Sequence, residues 1–312
     1  MTIIKKVALV GTGVIGASWA SLFLSKGLDV VACDPAPEAE ARLRATVARQ
    51  WPTVQQLGMA GSASQTRLSF VTTPEEAVAE ADFVQENGPE RLDIKRDIYR
   101  RIDGAARPQV VLATSSSGLL ISEVQIACAH PERVLVGHPF NPPHLIPLVE
   151  VVGGEATSAA AINTAMAFYR AVGKKPIHVK KEVKGHVANR LQAALWREAF
   201  WLVREGVASV ADVDTAIAHG PGLRWALLGP FLNLHLSGGS GGLRHVLDHL
   251  GPPIEEWWAD MHDVTIDDAL KATLIAGGDD ELAGRSMTEI AADRDRVLLE
   301  LMRLKSKASK LP

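Results

Sequence analysis

The stretch KKVALVGTGVIGASWASLFLSKGLDVVACDPAP constrains the fold more than any other part of the chain. Its pattern predicts a buried strand, a glycine turn, an amphipathic helix and a second strand, which make one βαβ unit. Gly11 permits a tight turn, Gly13 lets the backbone approach a pyrophosphate, and Gly16 allows close helix packing. With Val14 and Ile15 between the last two glycines, this loop predicts a dinucleotide site at the start of the helix.

Asp34 stands at the end of the second predicted strand. An acid at this place can accept hydrogen bonds from both hydroxyls of a ribose, and it would repel a 2′-phosphate. The alternative is a glycine turn beside an unrelated surface aspartate. Taken together, the glycine loop and Asp34 predict NAD as the cofactor, in preference to NADP.

Strands and helices continue to alternate until about residue 182, and the later pattern is helical, as in VANRLQAALWREAFWLVREG. Alternation of this kind favours a doubly wound, mostly parallel sheet. The charged segment VKKEVKGHV, with its glycine, indicates a domain boundary. We therefore predict an α/β fold with a Rossmann-type NAD-binding domain over residues 1–185 and a smaller, all-helical domain over residues 186–312.

Charge and cysteine content exclude several classes of protein. The chain has 33 Lys and Arg against 36 Asp and Glu, a net charge of −3, so neither nucleic acid nor an anionic membrane is favoured as a partner. Cys33 and Cys128 lie in apolar surroundings without metal-ligand spacing, which predicts no metal site and no disulfide. The short apolar run at the amino end is unlike a signal peptide, and we expect a cytoplasmic protein.

A histidine and a carboxylate stand out in GHPFNPPHLIPLVEVVGG. His138 follows a predicted strand, and doubly wound sheets bind ligands at the carboxyl ends of their strands. Oxidation of an alcohol needs a general base, which histidine can supply near neutral pH. Glu150 could orient the ring after the intervening loop, but spacing alone leaves open a buried structural histidine. His144, in the same stretch, is interpreted as a loop residue near the substrate entrance.

Five segments, in this order, resemble the 3-hydroxyacyl-CoA dehydrogenase family: GTGVIG, QENGPERLDIKRDIY, TSSSGLLISE, GHPFNPPHLIPLVEVVGG and NRLQAALWREAFWLVREGVASVADVDTAIAHGPGL. The resemblance covers nearly the whole chain. It implies that His138 is the base, Glu150 its orienting partner, and that the helical domain binds substrate and forms a homodimer. It also implies two further groups of site residues, Ser117 and Asn189 at the substrate oxygen, and Glu90, Lys95 and Asn141 near the nicotinamide.

The segment GPGLRWALLGPF departs from the shorter one typical of acyl-CoA members, and resembles a branch that oxidises free 3-hydroxy acids such as L-gulonate and L-carnitine. A free carboxylate needs a cation, and Arg224 could bind it through two parallel hydrogen bonds. Carnitine carries a quaternary ammonium, for which Trp225 and Trp196 are candidate aromatic partners, although tryptophans at helical spacing are commonly core residues. We expect oxidation of L-carnitine to 3-dehydrocarnitine. The alternatives are an L-gulonate 3-dehydrogenase, a short-chain 3-hydroxyacyl-CoA dehydrogenase, and a non-catalytic, crystallin-like NAD-binding protein.

Overall fold

The computed structural model describes residues 4–311. The chain divides into two compact units, one up to Arg190 and one from Leu191 onward. Among the described residues, no helix is both long and apolar enough to span a membrane.

An eight-stranded sheet forms the centre of the first unit, with the strand order β3-β2-β1-β4-β5-β6-β7-β8. All neighbouring strands run parallel except β6 and β7, which pair antiparallel. This confirms the predicted mostly parallel α/β sheet. The strands are β1 (Lys6–Val10), β2 (Asp29–Cys33), β3 (Leu68–Val71), β4 (Phe83–Glu86), β5 (Val111–Thr114), β6 (Val134–Pro139), β7 (Leu148–Gly153) and β8 (Lys175–Val179).

Helices cover both faces of this sheet, because successive side chains of a buried strand point to opposite sides. In β1, Val7 and Leu9 join one apolar cluster, whereas Ala8 and Val10 join the other. The first cluster includes stacked aromatic side chains, with the rings of Trp19 and Phe23 5.1 Å apart. The helices are α1 (Val14–Ser25), α2 (Ala39–Gln56), α3 (Pro74–Val78), α4 (Leu92–Ala105), α5 (Ile121–Gln125) and α6 (Ala159–Ala171).

The second unit is helical, as predicted. Its described residues bury few apolar side chains, namely Val246, Leu270 and Leu299. The helix α7 begins in the first unit and continues into the second. The helices are α7 (Ala188–Arg204), α8 (Val210–His219), α9 (Pro221–Trp225), α10 (Pro230–Ser237), α11 (Gly242–Asp260), α12 (Asp268–Leu282) and α13 (Met287–Lys307).

Candidate active site

The glycine loop between β1 and α1 has the backbone that its sequence predicts. Gly11 has φ +93°, and a Cβ there would lie 2.8 Å from the carbonyl carbon of Asn87. A Cβ on Gly16 would lie 2.0 Å from the Gly11 oxygen, so this close packing requires glycine. Around Gly13 there is no atom within 4 Å of a Cβ position, which leaves open space beside the loop. The first turn of α1 starts here at the exposed Val14.

Asp34 is fixed beside this loop. Its Oδ2 accepts hydrogen bonds from the amide of Thr12 at 2.7 Å and from the Thr12 hydroxyl at 3.1 Å, and its Oδ1 accepts one from the Ala36 amide at 2.9 Å. The half-buried carboxylate is therefore held at the end of β2. An open glycine loop at a helix start, with an acid on the adjacent strand, fits the pyrophosphate and ribose of a dinucleotide. Ile15, half-buried, packs against the first apolar cluster.

The three serines after β5 differ in how their hydroxyls are used. Ser115 Oγ accepts a hydrogen bond from the side-chain nitrogen Nε2 of Gln85 at 2.8 Å and donates one to Asn87 Oδ1 at 2.8 Å. Ser116 Oγ donates to Glu90 Oε1 at 2.7 Å. The Ser117 hydroxyl has no hydrogen-bond partner among residues 4–311 and is half-exposed. Ser117 is thus the serine of this segment whose hydroxyl is available to a ligand.

Glu90 organises the backbone around these serines. Its Oε1 also accepts hydrogen bonds from the amides of Ser117 at 3.0 Å and Gly118 at 2.8 Å. Burial acts to raise the pKa of Glu90, but the Ser116 hydroxyl and the Gly118 amide outweigh it and hold this pKa below its usual range. Glu90 is therefore ionised at neutral pH and keeps the segment that carries Ser117 in place.

Lys95 is buried, and its predicted role near the nicotinamide stays a prediction. It is 1% exposed, and its Nζ donates to Glu86 Oε1 at 2.9 Å, to Glu86 Oε2 at 2.8 Å and to the Gly88 oxygen at 3.2 Å. These contacts use all three N–H groups of the ammonium. The buried charge pair fixes the turn that follows β4.

His138 and Glu150 face one another across the antiparallel strands β6 and β7. They are register partners, so their side chains lie on the same face of the sheet. His138 Nδ1 and Glu150 Oε2 are 2.9 Å apart, and both side chains are buried. The other carboxylate oxygen, Oε1, accepts hydrogen bonds from the amides of Val187 and Ala188, both at 2.9 Å.

Glu150 is held in its ionised form by these contacts. Burial by itself would raise the pKa of Glu150, but His138 and the amides of Ala188 and Val187 lower it below its ordinary value. An ionised carboxylate on Nδ1 makes this nitrogen the protonated one and leaves Nε2 of His138 as a proton acceptor. The pair therefore has the geometry of an oriented general base.

Asn189 and Asn141 are positioned by neighbouring segments. Asn189 is half-buried and directly follows Ala188, whose amide binds Glu150, so it lies one residue from the site. Asn141 is exposed in the loop over residues 140–147, which joins β6 to β7. The structure does not test whether either side chain contacts substrate or cofactor, and both roles stay predictions.

Two buried residues hold this loop through contacts that the sequence does not predict. Lys174 Nζ donates to the backbone oxygens of Pro143 and, at 2.7 Å, of Ile146. His144 is buried in the loop, with its amide 2.9 Å and its Nδ1 2.7 Å from Ser18 Oγ, and its place near the substrate entrance stays a prediction. Polar residues with distant partners leave no local pattern, and the segment VGKKPIHV gives no signal beyond a strand.

Arg224, Trp225 and Trp196 belong to the second unit. Arg224 and Trp225 end the short helix α9, and Trp196 lies in α7. Trp225 is 46% exposed, Trp196 is 48% exposed, and Arg224 is exposed as well. No ion pair of Arg224 is found among the described residues, so its guanidinium is available for a ligand. In residues 4–311 no group of His, Cys, Asp and Glu is arranged to hold a metal ion.

Comparison with known proteins agrees with this geometry. Residues 6–183 match the profile of the 3-hydroxyacyl-CoA dehydrogenase NAD binding domain, and residues 185–265 match the C-terminal domain of that family. The L-carnitine dehydrogenase of Streptomyces griseus is 50% identical over 300 residues, which cover 96% of this chain and 90% of that protein. The L-carnitine dehydrogenase of Pseudomonas aeruginosa is 49% identical over 302 residues, 97% and 94% of the two chains.

Solved structures give the same result. The crystal structure of 5-formyl-3-hydroxy-2-methylpyridine 4-carboxylic acid 5-dehydrogenase, described as an NAD⁺-dependent dismutase, has a TM-score of 0.85 and 31% identity, and the match covers 98% of this chain and 99% of that one. The predicted family, fold class and cofactor are thereby confirmed. The chain belongs to the 3-hydroxyacyl-CoA dehydrogenase family and is an NAD-dependent oxidoreductase.

Proposed function

We propose that this protein oxidises the 3-hydroxyl of L-carnitine to 3-dehydrocarnitine. The His138–Glu150 pair carries the proposal, because a buried histidine oriented by an ionised carboxylate is the base that alcohol oxidation needs. Relatives named L-carnitine dehydrogenase, about half identical over nearly the whole chain, support this substrate. NAD, when bound, supplies the hydride acceptor.

In this proposal each residue has one task at the reacting centre. His138 takes the hydroxyl proton on Nε2, and Glu150 stabilises the imidazolium that forms. The Ser117 hydroxyl, which has no partner among the described residues, and the Asn189 side chain hold the substrate oxygen as its charge develops. Glu90, Lys95 and Asn141 are assigned to the nicotinamide side of the cofactor site, and Gly11, Gly13 and Gly16 to its pyrophosphate.

Recognition of the rest of the substrate is assigned to the second unit. Arg224 supplies a planar cation for the free carboxylate, and Trp225 and Trp196 supply exposed aromatic faces for the trimethylammonium. We also propose a homodimeric, cytoplasmic protein with functional domains over residues 1–185 and 186–312. Cys33 and Cys128 are unpaired, in keeping with a reducing compartment.

A four-substrate assay tests the proposal. NADH formation is measured with L-carnitine, L-gulonate, 3-hydroxybutyrate and 3-hydroxybutyryl-CoA, and we expect kcat/KM to be highest for L-carnitine by at least about tenfold. A preference for gulonate or for the CoA thioester would replace the substrate assignment with that alternative. Binding of NADH without turnover of any of the four would favour a non-catalytic NAD-binding protein.

Arg224→Met tests the carboxylate assignment separately. Loss of a charge-assisted, bidentate contact costs about 2–3 kcal/mol, so we expect KM for L-carnitine to rise roughly 30- to 100-fold while KM for NAD changes little. Arg244→Met, at another exposed arginine of the second unit, serves as the matched control. If KM for carnitine and for NAD rise equally, Arg224 does not bind the carboxylate.

A further inference from the structure

The segment that precedes α7 makes an unusual turn beside the base. Gly185 has φ +75° and His186 has φ +49°, so two consecutive residues are left-handed. Glycine adopts this conformation freely, but a histidine there is held against a cost of about 1 kcal/mol or more. The next two amides, of Val187 and Ala188, are the ones that bind Glu150 Oε1. The turn thus determines how Glu150 is hydrogen-bonded.

The ring of His186 makes its own contacts with the site. It is 3% exposed, and its Nε2 lies 3.3 Å from the Ser116 backbone oxygen, which can only accept, so Nε2 carries the proton. The ring centroid is 5.4 Å from that of His138. Its Nδ1 is buried and has no hydrogen-bond partner among residues 4–311. A buried imidazole with one unsatisfied nitrogen is costly, and such a group calls for a functional explanation.

We propose that His186 is a positioning residue for His138, with two separate contributions. Its left-handed backbone directs two amides onto Glu150, and its ring packs beside that of His138 and donates a hydrogen bond to the Ser116 oxygen. This inference rests on the proposed role of His138 as the base. His186 then links the three chain segments of the site: the serines after β5, the strand pair β6–β7, and the start of α7.

The amides on Glu150 tune the basicity of His138. A carboxylate that accepts two amide hydrogen bonds is less basic, so it attracts the shared Nδ1 proton less strongly. Loss of these bonds should raise the pKa of His138 and keep it protonated to higher pH. Glu150 and His186 are the ionisable groups in contact with His138, and Glu90 acts on His186 at longer range. Burial, with His138 adding to it, lowers the pKa of His186.

Two substitutions separate the contributions. His186→Gly keeps the left-handed turn but removes the ring, whereas His186→Val removes the ring and disfavours the turn, because β-branched residues avoid positive φ. The exposed Lys184→Ala, two residues earlier, is the control. The pKa of His138 is measured by NMR of ¹³C-labelled histidines, assigned with His138→Gln, and kcat is measured with whichever 3-hydroxy acid the wild type oxidises.

We expect His186→Gly to lower kcat about tenfold with the His138 pKa unchanged, and His186→Val to lower kcat further and to raise that pKa by about one unit. If the Val variant does not fold, His186→Ala provides a milder disruption of the turn. Wild-type kcat in the Gly variant would overturn the role of the ring. The role of the turn would be overturned if the pKa of His138 were the same in His186→Gly as in His186→Val, or as in His186→Ala where the Val variant does not fold. The NMR titration needs no substrate, so its result can be interpreted even if L-carnitine is not the substrate.

Discussion

The two oxygens of the Glu150 carboxylate have different partners, and this division decides what the residue can do. Oε1 is satisfied by backbone amides that cannot titrate, and Oε2 is left for the histidine ring. A fully buried carboxylate would otherwise tend to become protonated and neutral. Here it stays charged, so it can both select the tautomer of His138 and stabilise the imidazolium during turnover.

Glu150→Gln should therefore reduce kcat by roughly 10³- to 10⁴-fold. The Gln oxygen can still accept from the two amides, but its NH₂ then faces Nδ1 and favours the tautomer whose proton sits on Nε2, which blocks the base. We expect the Kd for NADH, measured by fluorescence, to remain within about twofold. Glu155→Gln, at an exposed glutamate after β7, is the control. Unchanged turnover in the Glu150 variant would remove Glu150 from the mechanism.

Sequence could predict the residues whose role depends on local spacing. Gly11, Gly13 and Gly16 follow from the turn they must make, and the structure gives each the space that its task requires. Motif similarity pointed to Ser117, but only the hydrogen bonds of Ser115 and Ser116 show why the third hydroxyl remains available.

Residues whose partners are distant in sequence could not be predicted. The ion pair of Lys95 is an example, because nothing in the sequence shows that the buried carboxylate of Glu86 is its partner. His186 lies 48 positions after His138 in the sequence, and the two rings come together only after the chain has folded. A histidine in the sequence also does not indicate a positive φ, because this conformation is uncommon for residues other than glycine.

At the scale of elements, the hairpin of β6, the loop over residues 140–147 and β7 carries the proposed base and its carboxylate partner. Its register brings His138 opposite Glu150. The loop is tied to α1 through His144 and Ser18, and to the segment before β8 through Lys174, which also lies 5.0 Å from the Trp19 ring. Since the dinucleotide loop leads directly into α1, the same helix supports both this loop and the hairpin.

Lys174 should give the stability of this unit a characteristic pH dependence. Burial lowers the pKa of Lys174 from its ordinary 10.5 to about 7. Between these two values the unfolded chain holds a proton that the folded chain has lost, so the free energy of unfolding should rise with pH from about 7 to 10.5. Below pH 7 both states are protonated, and the cost of the buried charge is fully present.

Urea denaturation at pH 6.5, 8 and 9.5 measures this contribution. The Lys174→Met variant lacks the titrating amine, so its free energy of unfolding should not share the rise expected for the wild type. The difference, variant minus wild type, should therefore fall as pH rises through this range. Lys175→Met, at the exposed neighbouring lysine, should show a difference from wild type that does not depend on pH. A constant difference for Lys174→Met as well would mean that the buried amine keeps its ordinary pKa.

At the scale of the whole molecule, the two units differ in how much apolar surface they bury. The first has two apolar clusters, one on each face of its sheet. The second leaves many large apolar side chains at least one third exposed, among them Leu223, Phe231, Leu236, Trp257, Trp258, Ile275 and Val297. Exposed apolar area on this scale marks an interaction surface. The sequence predicts the helices of the second unit from the 3.6-residue period of their apolar side chains. That period does not show whether the apolar face of a helix packs against its own chain or against another one.

A second copy of the chain is the partner we expect. Light scattering should give twice the mass of the chain, and the thermal midpoint should rise with protein concentration, because a folded dimer is favoured by mass action. Phe231→Glu, at a side chain 75% exposed in the second unit, should weaken association by placing a charge in an apolar contact. Ile126→Glu, at a side chain 76% exposed in the first unit, should leave the dimer intact. A monomeric wild type at micromolar concentration would contradict the assignment, and the apolar surface of the second unit would then require a different partner.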